Sequence, residues 1–233
     1  MKEWILKTLK PLLGNLWREK LPKVYKIYET LYWKIVIKRR KKGLQSKGYE
    51  YLPKVEKALR VRGVDCFLTY GTLLGIIREG KFIGHDDDID LGIIENDKFS
   101  WDKVQDALSE IGMVKKHQFS LDGKITEQTY RKKNLSIDFF LVEAHGDKSY
   151  SHGYFKKEEE TYESPNQFSV RRRIISRIDG TKEYVCISGK FQVPENYELF
   201  LREVYGENWR VPDPTWVSDA AYLENKYGYQ EKF

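Results

Sequence analysis

The sequence predicts an α+β fold, and three observations predict it. Helical and strand periodicities run helix, strand, short helix, strand, helix, and then give way to consecutive strands instead of a repeating βαβ series. Aromatic residues number 33 in a chain of 233, within an apolar fraction of 40%, enough for a sizeable core in one domain with an appendage. Charge is partitioned. Residues 1–47 hold 14 Lys and Arg against 3 Asp and Glu, whereas the remainder holds 27 basic and 32 acidic residues. The net charge of +6 therefore belongs to an extension over residues 1–48, with residues 49–233 as the body. A nucleic-acid partner is not expected, because the basic surface does not lie beside the chemistry described below.

Residues Ile5 to Ile37 carry apolar side chains at helical spacing, with Pro11 and Pro22 dividing them into two or three helices. Trp4, Trp17 and Trp33 and the run Lys38-Arg39-Arg40-Lys41-Lys42 give the composition of a helix lying on anionic lipid. Packing of these helices on the body, with a solvated basic face, is an equal reading. No apolar stretch approaches the roughly 20 residues of a membrane span, and the charged start is not a signal peptide. Gly43 to Gly48 reads as a linker, and Leu52, Val55 and Leu59 mark a helix ending at Gly63.

A strand is expected over Val64–Tyr70, a short helix capped by Thr72 through Ile77, a strand over Asp87–Ile94 and a helix over about 97–111. Strands follow near 113–119, 124–131 and 134–142. Residues 143–168 are polar and read as a loop, residues 171–187 as a hairpin turning at Asp179-Gly180, residues 195–205 as a helix stopped by Gly206, and the rest as a tail. Cys66 and Cys186 sit in apolar runs and read as core residues of a reduced, intracellular protein, too few for a disulfide framework.

The chemistry concentrates in Tyr70-Gly71-Thr72-Leu73-Leu74-Gly75 and His85-Asp86-Asp87-Asp88-Ile89-Asp90. Backbone N–H groups at a helix N-terminus bind phosphate; Gly71 allows close approach and Thr72 adds a hydroxyl. Strand alternation puts Asp88 and Asp90 on one face, where paired carboxylates suit a hard divalent cation that also takes phosphate oxygens. Asp138, in the apolar run Leu135 to Leu141, fits a third acid, since an unpaired carboxylate there would be costly. Asp86 and Asp87 are read as loop-shaping groups, with Asp86 the better outside candidate for a ligand. His85 is read as their hydrogen-bonding neighbour. Arg78 either grips phosphate or pairs with Glu79 or Asp87. Trp209 reads as packing, and His117, His145 and His152 show no metal spacing.

These blocks, with Ile137-Asp138-Phe139-Phe140 and Tyr205-Gly206-Glu207-Asn208-Trp209-Arg210-Val211-Pro212, resemble the LicD/fukutin family within the polymerase-β-like nucleotidyltransferase superfamily. The resemblance covers about residues 50–214; Gly84 stands where members often carry Pro. It implies a mixed β-sheet flanked by helices, and transfer of a phosphate-bearing group from a CDP-linked donor to a sugar hydroxyl of a glycan or lipid-linked acceptor. The expected cargo is phosphocholine from CDP-choline, with ribitol phosphate or glycerol phosphate as alternatives. By the same resemblance Asp88, Asp90 and Asp138 would be catalytic and would hold Mg²⁺ or Mn²⁺, while Gly71, Thr72 and Arg78 would contact phosphate. The basic extension would keep the protein in the cytoplasm at the inner face of the plasma membrane. Two competing expectations are NMP transfer from an NTP and a non-enzymatic module with structural Ca²⁺.

Overall fold

The computed structural model describes residues 20–157, 159–216 and 221–233. The helices expected before residue 20, with Trp4, Pro11 and Trp17, lie outside the described residues. The first described element is one helix, α1 (Pro22–Arg60), 39 residues long. Pro22 opens it at a position where the missing N–H costs nothing. It runs without a break through Gly43–Gly48, so the expected linker is instead helix, and the anticipated boundary at residue 48 falls inside it. The two glycines mark close approach. A Cβ on Gly43 would lie 2.3 Å from the Asn134 carbonyl oxygen, and one on Gly48 would lie 2.5 Å from the Phe82 ring.

Leu44, Leu52, Val55 and Leu59 on α1 are fully buried, and α1 packs on α3 (Trp101–Glu110), β1 (Cys66–Leu68), β5 (Leu135–His145) and β9 (Gly189–Pro194). Between them come α2 (Tyr70–Glu79), β2 (Ile89–Ile94), β3 (Val114–Leu121) and β4 (Lys124–Lys132). Ser100 caps α3 by accepting from the Lys103 N–H. Cys66 is buried, and Cys186 is half-buried; neither forms a disulfide.

The C-terminal half departs from the sequence reading. Residues 148–155 form β6 (Lys148–Phe155), where a loop was expected, and β7 (Gln167–Ser176) pairs with it in antiparallel register. β7 does not turn back on β8 (Thr181–Cys186); β8 pairs with β9 instead. Helix α4 (Tyr197–Tyr205) ends at Gly206 as expected, with φ of 87°. The supposed tail contains β10 (Ala221–Lys232), which lies between β3 and β7.

The resulting strand order is β1-β2-β5-β4-β3-β10-β7-β6, and the end of β5 also pairs with β6 through Glu143↔Tyr150. The last six strands of that order thus close on themselves as a barrel, with β1 and β2 appended at β5. Among the described residues, only β2 and β5 run parallel. The architecture is mixed α+β, with the barrel an addition to the flanked sheet that was expected. No described helix is long and apolar enough to cross a membrane.

Candidate active site

The parallel β2–β5 pair creates the site. Its register sets Asp90 directly opposite Asp138, and Asp88 lies one residue before β2 begins. The three acids crowd one another. Burial, then Asp138 and Asp87, push the Asp88 carboxyl up to about 7. Burial, then Asp88 and Asp138, raise Asp90 well above the carboxylate range. Asp138 is raised chiefly by burial. Like charges in a dry setting ionise together only when a cation joins them.

Strand β1 turns into α2 at Tyr70, a non-glycine residue with φ of 45°, a conformation that costs energy and marks a constrained position. The barrel holds it there: the Tyr70 hydroxyl lies 2.6 Å from Ser151 Oγ, and its ring meets Phe140 edge-on. Helix α2 starts without a side-chain cap, which leaves its first-turn N–H groups for another acceptor. Thr72 does not cap this helix. It is buried, and its hydroxyl accepts from the Asp90 N–H at 2.9 Å, which ties α2 to the acid-bearing strand. Gly71 backs onto the acids, since a Cβ there would lie 2.9 Å from Asp86 Oδ2.

Arg78 takes the salt-bridge alternative, with Nη2 at 2.8 Å from Glu79 Oε1. Its side chain still borders a cavity of about 1040 Å³ together with Gly71 and Asp86. Asp87 binds Arg40 at 3.0 Å, and His85 faces Asp86 at 3.6 Å, consistent with loop-shaping roles for both acids. Trp209 is buried in the core, as expected.

Several residues at the site were not foreseen. Arg40, read as part of a basic cluster facing either lipid or solvent, instead reaches Asp87 and, at 3.2 Å, Ser136 Oγ. Arg131 meets the same hydroxyl at 3.4 Å. Thr129 pairs with Asp138 across β4–β5, and its hydroxyl lies 2.8 Å from His117 Nε2. Burial lowers His117 to about 4, so the ring is neutral and can donate to Thr129, which donates in turn to Asp138. Glu127 is the fourth acid. It is 8% exposed, and burial followed by Asp138 and Asp88 raises it well above the carboxylate range. Among the described residues, no hydrogen bond or ion pair engages its carboxyl group. The signal available in sequence was alternation: Glu127 shares strand parity with Thr129.

Among the described residues, no group of three or more His, Cys, Asp or Glu side chains is placed so that it could hold a metal ion. The donor chemistry of Asp88, Asp90 and Asp138 is nevertheless of the kind a hard divalent cation takes. Asp138 Oδ1 is buried without a partner, all candidate ligands are oxygen, and such ions commonly complete their shell with water and substrate phosphate.

Acid-bearing parallel strands beside an uncapped helix start define the class, an α+β domain with a buried acid cluster next to a helix N-terminus. Residues 63–176 match the LicD/FKTN/FKRP nucleotidyltransferase domain, which supports the resemblance to the LicD family. Mouse ribitol-5-phosphate transferase FKTN is 26% identical over 177 residues, covering 74% of this chain and 35% of that protein. The human counterpart is 25% identical over 172 residues, covering 72% and 34%. The chain thus spans about a third of the length of the curated relatives it matches. A likeness of lower rank is the crystal structure of ANT(2")-Ia in complex with adenylyl-2"-tobramycin, with a TM-score of 0.42 and 12% identity over 74% of this chain and 82% of that one.

Proposed function

We propose that the chain transfers a phosphate-bearing group from a CDP-linked donor to a sugar hydroxyl and releases CMP, on a polymerase-β-like core formed by β1, α2, β2 and β5. The observation that carries this reading is the Asp90–Asp138 pairing beside Asp88, within the family-matched region and next to the start of α2. Ribitol phosphate is the cargo best supported, because the curated relatives are ribitol-5-phosphate transferases. Phosphocholine, the expectation from sequence, is the alternative.

Asp88, Asp90 and Asp138 would hold Mg²⁺ or Mn²⁺, which when bound neutralises phosphate charge and favours departure of CMP. Thr72 keeps Asp90 in place, and the Thr129–His117 pair orients Asp138. The first-turn amides of α2 receive phosphate oxygens, with Arg78 at the cavity edge. The acceptor hydroxyl attacks phosphorus in line, the bond to the CMP oxygen breaks, and a site carboxylate takes the hydroxyl proton. The acceptor is a glycan or a lipid-linked sugar. The exposed arm of α1, with Ile27, Leu31 and Trp33 beside Lys34 and Lys38, would hold the protein at an anionic membrane face in the cytoplasm.

The test is CMP release from CDP-ribitol, CDP-choline and CDP-glycerol with Mg²⁺ or Mn²⁺. Release with one donor and its reduction by about a thousandfold or more in Asp90→Asn are expected. Pyrophosphate release from NTPs instead would favour NMP transfer, and full activity in Asp90→Asn would remove the site assignment.

A further inference from the structure

The cavity of about 1040 Å³ is at the upper end for small-molecule sites, and the acids do not account for most of its wall. One side is the α2 start and the following loop, with Gly71, Arg78 and Asp86. The other is the segment after α4, where Tyr205, Asn208 and Trp216 stand. That segment is built stiffly. Pro212 and Pro214 restrict the backbone, Asp213 accepts from the Thr215 N–H at 2.8 Å and from its hydroxyl at 2.6 Å, and the Trp216 N–H returns to the Asp213 carbonyl at 3.3 Å. The turn presents a large aromatic ring that is 39% exposed and rests on Tyr205, with centroids 4.8 Å apart and planes tilted by 47°. Tyr205 also joins this wall to the chemistry. Its ring backs Trp216, and it lines the same cavity as Asp86.

We propose that this cavity is the nucleoside subsite of the donor, with the pyrimidine base stacked on Trp216 and the diphosphate at the start of α2. This rests on the CDP-linked reading above and names the part of the chain that would recognise the nucleoside. A flat π-face is what an exposed indole on a rigid turn binds best, and base stacking on an aromatic side chain is strong and independent of charge. Gly71 lines the cavity and stands in the first turn of α2, so a base in the cavity and phosphates at the helix start belong to one continuous ligand. Asp88, Asp90 and Asp138 are not in the cavity wall. The reacting phosphorus would therefore sit at its edge, and the acceptor would come from the barrel side.

The experiment is calorimetric titration of the full chain with CMP and with inorganic pyrophosphate, each with Mn²⁺. Trp216→Ala is expected to weaken CMP about tenfold and to leave pyrophosphate within about twofold, because only the base is lost. Trp216→Phe keeps a π-face and should return CMP to within about threefold of wild type. Unchanged CMP affinity in Trp216→Ala overturns the subsite, and so does equal weakening of both ligands. Unchanged CMP affinity with a raised KM for acceptor in the CMP-release assay also overturns it and moves the cavity to the acceptor. A wild-type chain that binds pyrophosphate and no cytidine nucleotide overturns the donor reading itself, together with this subsite.

Discussion

The two halves of helix α1 have similar side chains and opposite fates. From Pro22 to Lys42 its apolar residues face outward: Val24, Ile27, Leu31, Trp33 and Ile37 are all exposed. From Gly43 to Arg60 the same kinds of residue, Leu44, Leu52, Val55 and Leu59, are sealed into the core. Helix periodicity runs through both. What differs is what lies beneath: β5, β9 and α3 sit under the second half, whereas no described core cluster includes the first. Burial is thus decided by the partner surface, not by helix composition, and Arg40 marks the changeover by reaching into the acid site.

The largest expected effect lies in the buried half. Leu52→Ala should destabilise by about 2–5 kcal/mol in urea unfolding, the range for a large-to-small change in a packed core; Leu31→Ala should stay within about 0.5 kcal/mol. Comparable losses in both would erase the distinction between the halves.

Glu56 comes next. It is 8% exposed, accepts from the Gln192 N–H at 3.2 Å, and is raised by burial from 4.5 to about 7. The folded state therefore holds this proton more tightly than the unfolded state. Its contribution to stability is full below about pH 4.5 and is lost as pH rises through 7, a slope worth up to about 3 kcal/mol. Glu56→Gln keeps an acceptor without the charge. It should remove that slope, gaining stability at pH 8 and almost none at pH 4.5; identical pH dependence in both proteins would refute the assignment.

At the junction, Arg40→Ala should lower kcat about 10- to 100-fold (about 1.4–2.7 kcal/mol), by freeing Asp87 and Ser136. Arg40→Lys should recover only part, since one ammonium cannot span both partners. An unchanged kcat in Arg40→Ala would return this residue to the surface cluster.

The smallest energetic effect should come from the arm. Ile27→Asp with Leu31→Asp should leave the urea midpoint nearly unchanged and weaken co-sedimentation with phosphatidylserine vesicles about tenfold or more. Equal sedimentation would remove the lipid reading.

The acids were legible in sequence because the information is local. Asp88 and Asp90 stand two residues apart, and Asp138 is conspicuous in an apolar strand. Strands β1 to β5 and helices α2 to α4 were legible for the same reason. Glu127, Arg131 and His117 were not, because their strands look polar and ordinary until β4 pairs with β5 and β3. Gly43 and Gly48 misled because glycine signals a break by propensity, whereas here it answers steric demands from Asn134 and Phe82, both distant in sequence. Strand β6 was missed because it buries polar side chains such as Ser149, Ser151 and His152, and β10 because its Tyr222, Leu223, Tyr227 and Tyr229 are exposed, so hydrophobic alternation marks neither.

The position of β10 has a consequence for how the molecule is made. It bridges β3 and β7, pairing Tyr229 with both Ser120 and Gln167. Until the ribosome has delivered residues 221–232, those two strands each keep an unsatisfied edge, the feature that recruits other chains into aggregates. Ring closure must then wait for contacts more than a hundred residues apart, which slows folding through the entropy of long loops. A chain stopped just short of Ala221 would retain Asp88, Asp90 and Asp138 and still be an aggregation hazard.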